Sequence, residues 1–140
     1  MKIRIGCHVS IAGSLAAAVP RALKRECSTF QIFTRNPRGW KYRDITEEDA
    51  AAFRKAVDSS GMDPAVAHMP YLPNLASPKE EVYEKSVSAF CAEVERCHLL
   101  GIPYLVTHLG STLGTPAEEG VERVVRALGE ALDTDAPGVT

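Results

Sequence analysis

The sequence predicts an α/β chain of four strand–helix units on a parallel sheet, arranged as one half of an eight-stranded barrel. Three observations carry that reading. Short apolar runs alternate with longer stretches of 3.6-residue period along the 140 residues, and the connections are short enough for a parallel sheet with right-handed crossovers. Two of the runs, Ala65-Val66-Ala67-His68 and Tyr104-Leu105-Val106-Thr107-His108, end in a histidine followed at once by turn residues, the place where an α/β protein keeps its chemistry. After the fourth helical pattern, Gly138-Val139-Thr140 reads as the start of a fifth strand, which favours half of a (β/α)8 barrel of about 250 residues. The competing open, flavodoxin-like sheet usually carries a glycine-rich or acidic site after its first strand, and Cys7-His8-Val9-Ser10 stands there instead.

Taken in order, residues 2–7 alternate as a first strand, and the alanine-rich residues 14–26 have helical composition, with Pro20 either kinking the helix or marking its first turn. Residues 28–34 are rich in β-branched and aromatic side chains and form the second strand. Residues 35–43 are a loop, with Pro37 and Gly39 as turn residues. Thr46 is an N-cap ahead of Glu47, Glu48 and Asp49, whose charge suits a helix N-terminus; Ala50, Phe53 and Val57 follow at helical spacing and Gly61 ends the helix. Residues 64–68 are the third strand. Ser77-Pro78 reads as a cap with proline at the first helical position, and Glu80 completes a capping box. The stripe behind it runs through Val82, Tyr83, Val87, Phe90, Val94 and Cys97 to a stop at Gly101. Residues 102–108 form the fourth strand. Thr115-Pro116 repeats the cap-plus-proline start, and Val121, Val124, Val125, Leu128 and Leu132 are the expected buried stripe of the fourth helix.

Composition bounds the rest. One domain over residues 1–140 has room for a single modest core. With 45% hydrophobic and 24% charged residues the chain is of ordinary globular type, and a net charge of −2 gives no global attraction to a polyanion, so any nucleic-acid contact has to be local. Residues 14–19 are too short and alanine-rich for a signal or a membrane span, which makes a cytoplasmic protein without membrane contact the default expectation. Cys7, Cys27, Cys91 and Cys97 show no metal-knuckle spacing and read as small, reduced core residues.

Strands ending in His68 and His108 aim two imidazoles at one end of a parallel sheet, and a neutral imidazole is the commonest side-chain metal ligand. His8, at the end of the first strand, is a third candidate on that face, whereas His98 reads as a surface residue favoured by the end of its helix. A catalytic zinc site needs three protein ligands, and the acidic residues of this chain cluster at helix starts, where capping and the helix dipole already account for them. The loop at residues 35–43 places Arg35, Arg38, Lys41 and Arg43 around Trp40 and Tyr42, a composition suited to phosphates and stacked bases. Tyr71 and Leu72, just after His68, add an aromatic and an apolar side chain able to probe a distorted duplex.

Gly6-Cys7-His8-Val9-Ser10, Phe30-Gln31-Ile32-Phe33-Thr34-Arg35-Asn36-Pro37-Arg38-Gly39-Trp40, His68-Met69-Pro70-Tyr71-Leu72-Pro73-Asn74-Leu75-Ala76 and Thr107-His108-Leu109-Gly110-Ser111 resemble, in order and spacing, the N-terminal half of the endonuclease IV family. The resemblance implies a TIM barrel, of which this chain holds about the first four units. It also implies a DNA-repair hydrolase that uses a three-zinc cluster to cleave the phosphodiester 5′ to an abasic site, leaving a 3′-hydroxyl. Position by position, it implies zinc ligation by His68 and His108, minor-groove insertion by Arg38 and a duplex wedge from Tyr71 and Leu72; Asn36 and Trp40, in the same basic loop, are the further expected DNA contacts. His8 matches a position near the site that is not carried over as a ligand, and no further catalytic residue falls within the chain. Pro37 and Pro73 stand where many family members have other residues, stiffening two DNA-facing loops. The remaining carboxylate and histidine ligands are expected beyond Thr140.

The implied partner is double-stranded DNA with abasic sites, bound by a complete enzyme that is monomeric. Two other readings stay open on the sequence. A sugar isomerase or epimerase on a related barrel would also place histidines and a divalent metal at strand ends, but it finds no use for Arg38, Trp40 and Tyr71. A half-barrel without catalytic activity would expose unpaired sheet edges and self-associate.

Overall fold

A computed structural model describes residues 3–140, so the Lys2 end of the first expected strand lies outside the described residues. The elements are α1 (Ala18–Leu23), β1 (Phe30–Ile32), α2 (Glu47–Ser60), β2 (Ala65–His68), α3 (Glu80–Leu100), β3 (Tyr104–Val106) and α4 (Ala117–Leu132). The three strands pair in parallel in the order β1-β2-β3, with Phe30 opposite Ala65 and His68 opposite Val106. This is part of a (β/α)8 barrel: helices cover one face of the sheet, and the other face is open. Ile3, Ile5, Tyr104 and Val106 stand exposed near or on that open side. No helix among the described residues is long and apolar enough to cross a membrane.

The expected first strand is reduced to a single bridge, His8 to Gln31, alongside β1. Val9 N donates to Gln31 O at 2.9 Å and Gln31 N to Cys7 O at 3.1 Å, but below this the Ser28 hydroxyl takes Ile5 N at 2.8 Å in place of a ladder partner. The two backbones press together there: a Cβ at Gly6 would come within 1.8 Å of Thr29 O. At the far edge, Thr140 N donates to Pro103 O and Leu105 N to Thr140 O, the hydrogen-bond pattern of a further parallel neighbour, although no regular strand forms.

Helix signals succeed where the cap acts through its own hydroxyl. Thr46 accepts from Asp49 N at 3.1 Å and Asp49 Oδ2 accepts from Thr46 N, a complete capping box, and these bonds hold the Asp49 carboxyl below its ordinary range. Gly61 and Gly101 close α2 and α3 in the left-handed conformation. The other two expected caps are displaced. Ser77 Oγ is taken up by Lys79 N in a turn before the helix, so α3 starts at Glu80 without a side-chain cap, and Thr115 Oγ1 donates to Thr112 O, so α4 starts at Ala117. The alanine-rich segment is helical only from Ala18, which places Pro20 in the first turn, where its missing N–H costs nothing.

Two clusters make the core. Phe30, Ile32, Ala65 and Ala67 turn toward Val19, Ala22, Phe53, Cys97 and Leu100, while Met69, Leu75, Tyr83, Phe90, Val124 and Ala127 fill the space between α3 and α4. Helix α4 overturns its expected stripe. Gly120, Val124, Ala127 and Ala131 face inward, Gly120 against Thr112 and Ala76 and the other three in the cluster with the α3 side chains, and Val121, Val125, Leu128 and Leu132 turn outward. The cysteines are free, but only Cys97 is buried, its thiol pushed up to about 12 by burial. Cys7 is exposed, its Sγ 3.8 Å from Cys27 Sγ.

The rotated face of α4 gives a direct expectation for urea unfolding. Phe53→Ala, which empties a site 1% exposed against Phe30, lowers stability by about 3–5 kcal/mol, whereas Val125→Ala, 61% exposed, changes it by less than about 0.5 kcal/mol.

Candidate functional site

Side chains alternate between the two faces of a strand, so once Ala65 and Ala67 face the helices, Val66 and His68 must face the open side. The register then lines up Gln31, Val66 and Tyr104 in one row and His68 with Val106 in the next, with Phe33, the residue after β1, beside His68. His108 follows two residues beyond Val106. An aromatic cluster forms at this end of the strands. His8 lies 4.4 Å from Phe33 between ring centroids, Phe33 lies 5.6 Å from His68, and His68 lies 5.0 Å from His108. Tyr71 leans over all three of the last, 5.3 Å from Phe33, 5.9 Å from His68 and 6.3 Å from His108.

The tautomers differ in a way that matters for ligation. His68 Nδ1 sits 2.7 Å from Met69 O, and a carbonyl only accepts, so the proton is on Nδ1 and the Nε2 lone pair is free. Gln31 Nε2 donates to His8 Nδ1 at 2.9 Å, which leaves the His8 proton on Nε2 and neither nitrogen with a free lone pair. Burial and the neighbouring His68 hold His8 below the ordinary imidazole range. Among the described residues no group of three His, Cys, Asp or Glu side chains converges as a metal site. His68 and His108 thus stand as two neighbouring imidazoles, fewer than the three protein ligands that a catalytic zinc requires. His98 is exposed in the last turn of α3 and bonds Pro137 O, away from the cluster.

Two loops rise around the imidazoles. The one after β2 carries Tyr71 and Leu72, 65% and 41% exposed, and is fastened to the loop after β3 by Asn74. Its Nδ2 donates to Ser111 O, its Oδ1 accepts from Ser111 N, both at 2.9 Å, and its backbone N bonds Ser86 Oγ. Gly110, at φ +99°, makes this approach possible, since a Cβ there would lie 1.9 Å from Asn74 Oδ1. The loop after β1 is the basic one. Asn36 Oδ1 accepts from Arg38 N at 3.0 Å, a turn that leaves Asn36 and Arg38 exposed and Trp40 40% exposed. A cleft of about 560 Å³ lined by His8, Phe33, Arg35, Asn36 and Pro37 joins the base of this loop to the cluster, whereas no hydrogen bond or ring contact links Arg38 or Trp40 to the imidazoles. A larger cleft, about 700 Å³, opens among Phe53, Met62, Ile102 and Val139 at the opposite end of the strands and belongs to the packing there.

The ends of the basic loop are held from inside. Arg35 Nε lies 2.6 Å from Glu93 Oε1, both side chains almost wholly buried, although the pair is not aligned as a hydrogen bond. Thr34 Oγ1 donates to Glu93 Oε2 at 2.7 Å and accepts from Arg96 Nε at 2.9 Å, while Arg96 also reaches Thr34 O and Arg43 O. Burial pushes the Glu93 carboxyl up, against the Thr34 hydrogen bond and the charges of Arg35 and Arg96. Sequence reasoning missed Phe33, Asn74, Glu93 and Arg96. Glu93 did leave a signal: it falls on the inward stripe of α3 between Phe90 and Cys97, where a charge needs a partner.

A parallel sheet covered on one face by helices, with imidazoles gathered at the C-terminal ends of its strands, defines a barrel of the (β/α)8 class. Residues 19–140 match the family described as xylose isomerase-like TIM barrel, and the chain belongs to that family. A protein of Methanoculleus marisnigri named probable endonuclease 4 is 60% identical over 131 residues, 94% of this chain and 46% of its own length. A protein of the same name from Methanosphaerula palustris is 56% identical over 136 residues, 97% of this chain and 48% of its own. The crystal structure of endonuclease IV from Thermus thermophilus superposes with a TM-score of 0.82 at 38% identity, covering 96% of this chain and 49% of that one. The likeness to endonuclease IV read from the motifs is thus borne out, and the chain spans about half the length of the relatives it matches.

The Asn74 fastening depends on a position without a side chain. Gly110→Ala is expected to cost about 1–3 kcal/mol in urea unfolding, and to shift the Ser111 and Ala76 amide resonances that report bonds to Asn74, while leaving those of α2 in place.

Proposed function

We propose that this chain provides the N-terminal half of the site of a DNA-repair endonuclease that cleaves the phosphodiester 5′ to an abasic site with a zinc cluster and leaves a 3′-hydroxyl. The observation that carries the reading is the packing of Tyr71 over both His68 and His108, which puts a duplex-probing ring against the metal donors. The names of the relatives support it.

In this reading His68 presents Nε2 from β2, its ring fixed by the Met69 carbonyl, and His108 presents the second imidazole from beyond β3. When bound, zinc lowers the pKa of a water molecule toward neutrality and offsets charge on the phosphate. The other residues handle the DNA. Arg38 enters the minor groove, and Asn36 and Trp40 meet the backbone and sugar beside it, supplying locally the attraction that the net charge of −2 does not. Tyr71 and Leu72 wedge the duplex and line the side of the extruded abasic nucleotide, whose missing base lowers the cost of unstacking. Three zinc ions need more ligands than these two imidazoles, so cleavage itself calls for carboxylates and histidines outside this set.

Calorimetry and fluorescence anisotropy separate the parts. His68→Ala with His108→Ala weakens zinc binding by about tenfold or more, and Arg38→Ala weakens binding to a duplex with an abasic analogue by about tenfold while sparing zinc. Unchanged zinc affinity in the double variant would sink the metal assignment.

The open sheet face favours a second reading for the chain by itself. Ile3 and Ile5 are 77% and 71% exposed, and the outward face of α4 adds Val121 and Leu132 at 61% and 79%. Apolar surface of that extent seeks a cover. Self-association is the expected result, seen as a dimer or larger species in light scattering at micromolar concentration; a well-folded monomer would count against it.

A further inference from the structure

We propose that Glu93, on α3 and outside the imidazole cluster, is the positioning residue for the basic loop that follows β1. The proposal rests on the reading of that loop as a DNA contact, and its test separates the two.

The loop leaves the sheet at Thr34 and Arg35 and returns at Tyr42 and Arg43, and both ends are tied to the same helix. At the outgoing end, Arg35 Nε lies 2.6 Å from Glu93 Oε1, and Thr34 Oγ1 donates to Glu93 Oε2 at 2.7 Å. At the returning end, Arg96 Nη1 donates to Arg43 O at 3.0 Å while its Nε is held by Thr34 Oγ1 at 2.9 Å. Tyr42 closes the arrangement, with the Arg35 and Arg96 guanidinium carbons 4.4 and 5.3 Å from its ring centroid. Between these anchors, residues 36–41 project with no ion pair of their own among the described residues.

The charges show why Glu93 is decisive. Two guanidiniums are buried here, neither can shed its proton, and Glu93 is the one buried carboxylate among the described residues. An exposed pair would count for little, but removing one partner of a buried pair strands the other without compensation. With Glu93 neutral, Arg35 and Arg96, both beside the Tyr42 ring, are left as uncompensated like charges. Arg35 has the weaker hold, since its Nη1 has no partner and its Nη2 reaches Ala89 O only at 3.5 Å. Arg35 is therefore the side chain that leaves for solvent, and Asn36, Arg38 and Trp40 move with it.

Trp40 is the sole tryptophan, so its fluorescence reads this loop alone. In Glu93→Gln, acrylamide quenching of Trp40 is expected to rise by about twofold with a fall in anisotropy, far-UV circular dichroism is unchanged, and affinity for an abasic-analogue duplex drops by about tenfold. Glu93→Asp restores part of both. Arg38→Ala serves as the control that loses DNA affinity with Trp40 as in the parent chain. A folded Glu93→Gln protein with parental Trp40 quenching overturns the proposal. If Trp40 is freed but neither variant changes DNA affinity, the positioning role stands and the DNA reading falls. Should Glu93→Gln fail to fold, Thr34→Val, which removes the bridging hydroxyl and keeps both charges, must free Trp40; parental quenching there overturns the proposal as well.

Discussion

Parallel pairing of three short strands brings all their C-terminal ends to the same edge, and every side chain of interest in this molecule takes its place from that constraint. Because Ile32 and Ala67 are opposite one another with their side chains toward the helices, Phe33 and His68 face the open side without further instruction. A register slip of one residue would send His68 into the core and Ala67 to the surface. The helix-side residues of β2 are both alanines, which lets Phe30, Phe53 and Leu100 fill the space behind the strand. Apolar packing on one face thus fixes imidazole geometry on the other.

The loops above that edge are held differently, by polar groups reaching across long sequence separations. Asn74 joins the β2 and β3 loops, and Glu93 with Arg96 gathers both ends of the β1 loop onto α3. Such contacts contribute little to net stability compared with burial of apolar surface, yet they are directional. They set where the exposed residues between them stand, a task for which greasy contacts are poorly suited.

The division between what the sequence disclosed and what it withheld follows the range of the interactions. Thr46 with Asp49, Gly61 and Gly101 are local devices, each complete within a few residues, and each is found where the sequence puts it. His68 and His108 were legible because an apolar run that ends in an imidazole and a turn is also a local pattern. Of the expected stripe of α4 only Val124 is buried, because hydrophobicity alone chose the larger residues, whereas packing in the cluster with α3 selected Ala127 and Ala131. Ser77 and Thr115 have the composition of caps but spend their hydroxyls on the turns before α3 and α4. Asn74 and Glu93 act on partners 37 and 58 residues away in sequence, Ser111 and Arg35, and no window along the chain contains both ends.

The carboxamide of Asn74 has one more consequence. By donating to Ser111 O and accepting from Ser111 N, it imitates a peptide group and adds a rung above the last residue of the sheet, so that the segments bearing Tyr71 and His108 share a single mechanical coordinate. Whatever displaces the phenol is felt at the imidazole. In the function proposed above, thermodynamic reciprocity then makes any effect of an ion at His108 on the duplex at Tyr71 equal to the effect of the duplex on the hold of the ion.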